Sequence, residues 1–133
     1  MLEAATDAML KVGIAPHTAE GEQQVANLSR VCQLLGEKTK AEPCDAMKGI
    51  ATEGQKNLKE AGTNTIRDCL IGSSLTQVEH DEIVDCRGRL PEAQAMEQQG
   101  IVTLLQQNLW QEEQTAKQPE KRRAVAVAAD SRG

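Results

Sequence analysis

Apolar residues recur along most of the chain at steps of three and four, and no stretch alternates with a period of two. That rhythm predicts helices and no strands. Leu2, Ala5, Met9 and Val12 form a first short helix over residues 2–12, with Gly13 as its stop and Pro16 just beyond. Val25, Leu28, Cys32 and Leu35 step along a second, entered near Pro16–Thr18. There Thr18 is the predicted N-cap, and Glu20 and Glu22 suit the positive end of the helix. Gly36 closes it. Pro43 opens a third, whose thin line runs through Cys44, Met47, Ala51, Gly54 and Leu58 to the break at Gly62-Thr63-Asn64.

A brief turn over 66–71, stopped by Gly72-Ser73-Ser74, precedes the last long segment. Thr76-Gln77-Val78-Glu79 reads as a capping box that starts it. Val78, Ile83, Cys86 and Leu90 share one side; Leu90-Pro91 predicts a kink; Met96, Ile101, Leu104, Leu105, Leu109 and Trp110 carry the pattern to about Ala116. From Gln118 onward no apolar line continues. The expected organisation is therefore one helical domain, residues 1–117, and an extended C-terminal tail, 118–133.

Composition sharpens this. Trp110 is the sole aromatic, and Leu, Ile and Val make up 26 of 133 residues, so the core is thin and needs further support. A net charge of −5 argues against nucleic acid as a partner. No run is apolar enough to span a membrane, and residues 1–13 carry Glu3 and Asp7 where a signal peptide has basic residues.

Four cysteines supply the missing support in this reading: Cys32, Cys44, Cys69 and Cys86 lie on or beside apolar stripes. Their spacing fits no zinc finger and no C-x-x-C site. Buried free thiols are one expectation; two disulfides, each contributing about 2–4 kcal/mol, are the preferred one. A nested pairing, Cys32 with Cys86 and Cys44 with Cys69, is favoured over a local one because it ties distant elements together, but spacing leaves both open. The expected fold is all-α: a disulfide-stapled helical hairpin or small irregular bundle, stapled over about 18–90, with a long C-terminal helix.

Two helices joined by nested bridges resemble the twin-cysteine (CHCH-like) hairpins of the mitochondrial intermembrane space. The resemblance spans Val25 to Leu90 and implies disulfides without a secretion signal, location in the intermembrane space, and a role as an accessory subunit, for instance of a respiratory assembly.

Candidate chemistry is sparse. His80 stands among Glu79, Asp81, Glu82, Asp85 and Cys86, but neighbours on one helix point in different directions, so a solvated acidic face is the reading adopted. His17 reads as a surface residue in a linker. Gly36-Glu37-Lys38-Thr39 lacks the upstream glycine of a phosphate loop, and Asn27-Leu28-Ser29 lies mid-helix, where glycosylation is unfavoured. No catalytic residue, cofactor or metal ligand is assigned. The expected function is a non-catalytic structural or interaction protein bound to other protein subunits, with a secreted or periplasmic disulfide-stapled binding module as the alternative. The partner surface is placed on Leu105, Leu109 and Trp110 together with Lys121, Arg122 and Arg123, with Trp110 closing the core as the competing reading.

Overall fold

The computed structural model describes the backbone of residues 3–130 and the side chains of residues 3–118. Four helices follow in order: α1 (Ala8–Leu34), α2 (Asp45–Glu60), α3 (Asn64–Ala95) and α4 (Gln99–Asp130). No strand occurs among the described residues, as the three- and four-residue rhythm predicts.

The helices form a bundle whose directions can be read from their contacts. Leu10 and Ile14 of α1 cluster with Ile71 of α3, and farther along His17 meets Glu79, so α1 and α3 run parallel. Asn27 bonds Asn108 while Glu20 bonds Thr115, so α4 runs antiparallel to α1. α4 also packs along α3, and the 16-residue α2 packs on α3 with Leu58 beside the Ile71 cluster.

Two apolar clusters cap this arrangement. One holds Ala5, Leu10, Ile14 and Ile71; the other holds Ala93, Ile101, Val102 and Leu105, with Val31 and Leu90 against it. Between them the interior is polar. Asn27 and Asn108 are buried, with Asn27 Nδ2 donating to Asn108 Oδ1 at 2.7 Å and to Gln107 Oε1 at 3.1 Å. Gln23 Nε2 in turn donates to Asn27 Oδ1 at 3.0 Å. About two turns back along α1, at the level of Glu20, lies a layer of carboxylates.

Several local stop signals are overridden. α1 passes through Gly13 and Pro16, which were expected to separate two helices. Proline removes one backbone bond, but the unbroken helix buries Leu10 and Ile14 on one face. α3 passes through Gly72-Ser73-Ser74 and Pro91, and the expected capping box at Thr76 lies mid-helix, its hydroxyl bonded to Gly72 O at 2.8 Å. α4 continues as helix through the predicted tail to Asp130.

Other signals act as predicted. Gly36 adopts φ 74°, with Glu37 N donating to Cys32 O and Gly36 N to Gln33 O, a left-handed cap of the kind glycine favours. Thr63 caps α3 through Ile66 N. The α3–α4 turn uses the same cap without glycine: Glu97 takes φ 54°, with Gln98 N bonded to Ala93 O. At the other end, Asp68 accepts from Thr6 and from Asp7 N and so ties the approach to α1 onto α3. Burial works to raise that carboxyl, but these bonds outweigh it and hold Asp68 below its ordinary value.

The expected disulfides are not formed: all four cysteines are free. The nested pairing assumed that the helices bearing Cys32 and Cys86 run antiparallel. They run parallel, with His17 level with Glu79, which sets Cys86 level with residue 24. Cys32 lies eight residues farther along α1, about 12 Å at the helical rise of 1.5 Å per residue. A disulfide needs Cα atoms within roughly 7 Å. The core support assigned to bridges comes instead from α3 and α4, whose 32-residue lengths give long faces to bury.

Candidate metal centre

Positions three apart on a helix share a face. Three such pairs point inward at one level of the bundle: His17 and Glu20 on α1, Glu79 and Glu82 on α3, Glu112 and Thr115 on α4. Glu79 is 0% exposed and Glu112 1%. One carboxylate oxygen from each of Glu79, Glu82 and Glu112 lies within 4.8 Å of the others. His17 Nε2 approaches Glu79 Oε1 at 2.9 Å, and Thr115 Oγ1 donates to Glu20 Oε2 at 3.1 Å.

Carboxylates crowded together out of water cannot all stay charged. Burial first, and then the neighbouring Glu79 and Glu82, push the Glu112 carboxyl up to about 10. Glu82 is also raised, by burial above all. Burial works to raise Glu79 too, but bonds from His17 and from the Glu112 acid outweigh it and hold Glu79 below its ordinary value. The bond to Glu79 raises His17 against the opposing effect of burial. Protein groups alone thus favour the charged form of His17 beside Glu79 and a proton on Glu112.

That arrangement leaves donors short. Among the described residues, no N–H or O–H of another residue type reaches either Glu112 oxygen or Glu79 Oε2. Buried acceptors without donors are rare in folded proteins. Bundle interiors that carry Glu side chains from facing helices, with a second ligand three residues on, are a recurrent way to hold metal ions. The residues present fit a divalent cation: Glu79, Glu82 and Glu112 supply oxygens, and His17 and Glu20 stand at the edge of the same layer. Thr115 occupies a place where an imidazole would complete such a pair, so α4 offers one strong ligand rather than two.

The two sides of the layer differ. Toward the first apolar cluster lies a cavity of about 20 Å³, walled by Leu10, Ile14 and Leu75 with His17 and Glu79. Toward the other lies an open groove of about 550 Å³, whose lining includes Glu82 and Glu112.

The acidic segment of α3 therefore divides. His80 is exposed, its Nδ1 2.8 Å from Thr76 O, and Asp85 is exposed. Glu79 turns inward, contrary to the solvated face expected for it. His17 is no linker residue; it sits within α1 and pairs with Glu79. Neighbouring residues of one helix do diverge, as argued from the sequence; the convergence comes from three helices. Glu20 and Glu112 had no site role in the sequence reading. The available signal was the recurrence of inward i, i+3 polar pairs in the middle of apolar stripes on three separate helices.

The predicted partner residues scatter. Leu105 is buried in the second apolar cluster, Leu109 is half-buried, and Trp110 is 63% exposed on the outside of α4. The side chains of Lys121, Arg122 and Arg123 lie outside the described residues.

The family described as a domain of unknown function, DUF892, matches residues 1–126. The chain belongs to the DUF892 family. Its fold is similar to that of YcfI from Rhodopseudomonas palustris, described as a candidate structural protein, with 28% identity and a TM-score of 0.86 over 90% of this chain and 76% of that one. It is also similar to the E. coli stress protein YciF, with 22% identity and a TM-score of 0.88 over 96% of this chain and 80% of that one. A search of curated proteins gives no match.

Membership in DUF892 and likeness to these bacterial proteins overturn the resemblance to twin-cysteine hairpins. The four cysteines, with intervals of 11 and 16 residues between Cys32 and Cys44 and between Cys69 and Cys86, are free in this chain, so the framework that carried the resemblance is not formed. With the framework go the mitochondrial intermembrane space, the respiratory accessory subunit, and the secreted or periplasmic alternative that rested on the same bridges. No described helix is long and apolar enough to cross a membrane.

Proposed function

We propose that this DUF892 protein is a non-catalytic metal-holding bundle, which binds a divalent cation on Glu79, Glu82 and Glu112 with His17 beside them. The observation that carries the reading is the pair of facing carboxylates at 0% and 1% exposure, of which Glu112 has no donor on either oxygen. Carboxylates with a single imidazole suit manganese or iron(II), with zinc a competitor. A bound cation supplies the positive charge that lets Glu112 ionise. His17 is then free to leave Glu79 or to turn its nitrogen to the ion, and Thr115 holds Glu20 at the rim. The descriptions of YcfI as structural and YciF as a stress protein accord with a protein that retains an ion rather than turns over a substrate.

The test is metal content and thermal stability after dialysis against Mn²⁺, Fe²⁺ or Zn²⁺. Binding at a hundredfold excess over Kd stabilises by about 2.7 kcal/mol, a rise of several degrees in Tm. Glu112→Gln keeps the shape of the site and abolishes that rise. Wild-type protein that retains no ion and shows no shift with any of the three overturns the proposal.

A second reading, docking to another protein, rests on Trp110, which stands 63% exposed next to the half-buried Leu109. Trp110→Ala then weakens co-purification with a partner while leaving the isolated chain's Tm within a degree or two.

A further inference from the structure

The carboxylate layer can be reached from two directions, and only one is built for passage. Toward the first apolar cluster, Leu10, Ile14 and Leu75 leave about 20 Å³, room for one water. On the other side the groove of about 550 Å³ opens between α1, the start of α2 and α3. Its floor is Glu112, which is 1% exposed and has no donor on either oxygen. Its α3 wall carries three acids, Asp81, Glu82 and Asp85, against one cation, Arg89, which is itself paired with Glu92, while Val25, Leu28 and Leu105 give the facing walls no charge. Gly21 lines the α1 wall, and a Cβ built there meets no atom within 4 Å.

We propose that this groove is the entrance through which a divalent cation reaches Glu112, with Asp81 and Asp85 drawing it inward. The proposal rests on the metal-holding reading and adds to it a route and its steering charges. An apolar wall opposite an acidic one concentrates the field along the acids, so a dication is pulled along α3. The side chains on the route are short: Gly21 leaves the passage open, and Asp81 and Asp85 reach less far into it than Glu would.

The experiment measures Co²⁺ association and dissociation by stopped-flow absorption on the full chain. Gly21→Leu puts a side chain on the α1 wall of the groove, where its Cβ meets no atom within 4 Å, and leucine favours a helix interior over glycine. It is expected to slow both association and dissociation by about tenfold with Kd little changed, as for a path that now needs a side-chain movement. Gly49→Leu, equally unobstructed but on α2 away from the groove, leaves both rates alone. Asp81→Asn with Asp85→Asn lowers the association rate by about tenfold at low salt, a difference that fades as salt rises; this pair also serves if Gly21→Leu does not fold. Wild-type binding with unchanged rates in the groove variants overturns the route and leaves the metal site standing, as does equal slowing by Gly49→Leu. Absence of Co²⁺ binding by the wild type overturns both.

Discussion

His17 on α1 and Glu79 on α3 meet at 2.9 Å, and together with the packing of Leu10 and Ile14 on Ile71 that contact fixes the two helices as parallel and in register. It also ties the charge state of the buried layer to solution pH. The layer's second carboxyl, Glu112, is pushed up to about 10 by burial and by Glu79 and Glu82.

A raised carboxyl binds its proton more tightly in the folded chain than in the unfolded one. The stability linked to Glu112 is complete below its ordinary value of 4.5 and is lost progressively as pH climbs from there toward about 10. Metal-free protein is therefore expected to lose Tm across the alkaline part of that window. Glu112→Gln, which has no proton to lose, flattens the slope. Saturating Mn²⁺ shifts the optimum upward, because the cation takes the proton's place. Thermal melts at a series of pH values check all three outcomes; an equal slope in the wild type and Glu112→Gln refutes the assignment.

Asn27 lies 5% exposed and bonds both Asn108 and Gln107. Asn27→Ala strands the Asn108 acceptor in the interior and is expected to cost about 1–3 kcal/mol. Replacing Asn27 and Asn108 together by Leu removes both orphans, and is expected to recover most of that loss. Chemical denaturation of the two variants measures the difference.

Glu97 holds φ 54° at the end of α3, a backbone region that suits glycine. Glu97→Gly relieves the crowding at Cβ, and is expected to raise stability by about 0.5–1 kcal/mol after the greater freedom of the unfolded glycine is discounted. Glu97→Val lowers it. Denaturant midpoints of the two variants, moving in opposite directions from wild type, are the readout.

The cysteines are expected to react as four thiols in denatured, unreduced protein. In the folded chain Cys44, which is exposed, labels first. Cys86 labels slowly: burial, then the charges of Glu112, Glu82 and Asp85, raise its thiol and keep the reactive thiolate scarce. Timed alkylation with mass spectrometry follows each site, and any pair recovered as a disulfide counts against this account.

By itself the sequence determined that the chain is helical. The steps of three and four from Val25 to Leu35 and from Ile101 to Leu109 admit no strand, and the stops at Gly36 and Gly62-Thr63-Asn64 follow from local backbone chemistry. Tertiary structure decided the rest. Whether Pro16, Gly72 or Pro91 ends a helix depends on what an unbroken helix buries there, and that is Ile14, Ile71 and Ala93 against the rest of the bundle. Whether Cys32 reaches Cys86 depends on helix direction, which no residue of either helix encodes alone. Glu79 and Glu112 are 33 positions apart and unremarkable in their own segments. They become a site only because α3 and α4 fold back antiparallel and close the same level of the bundle, where the low dielectric turns ordinary carboxylates into a place that demands a proton or a cation.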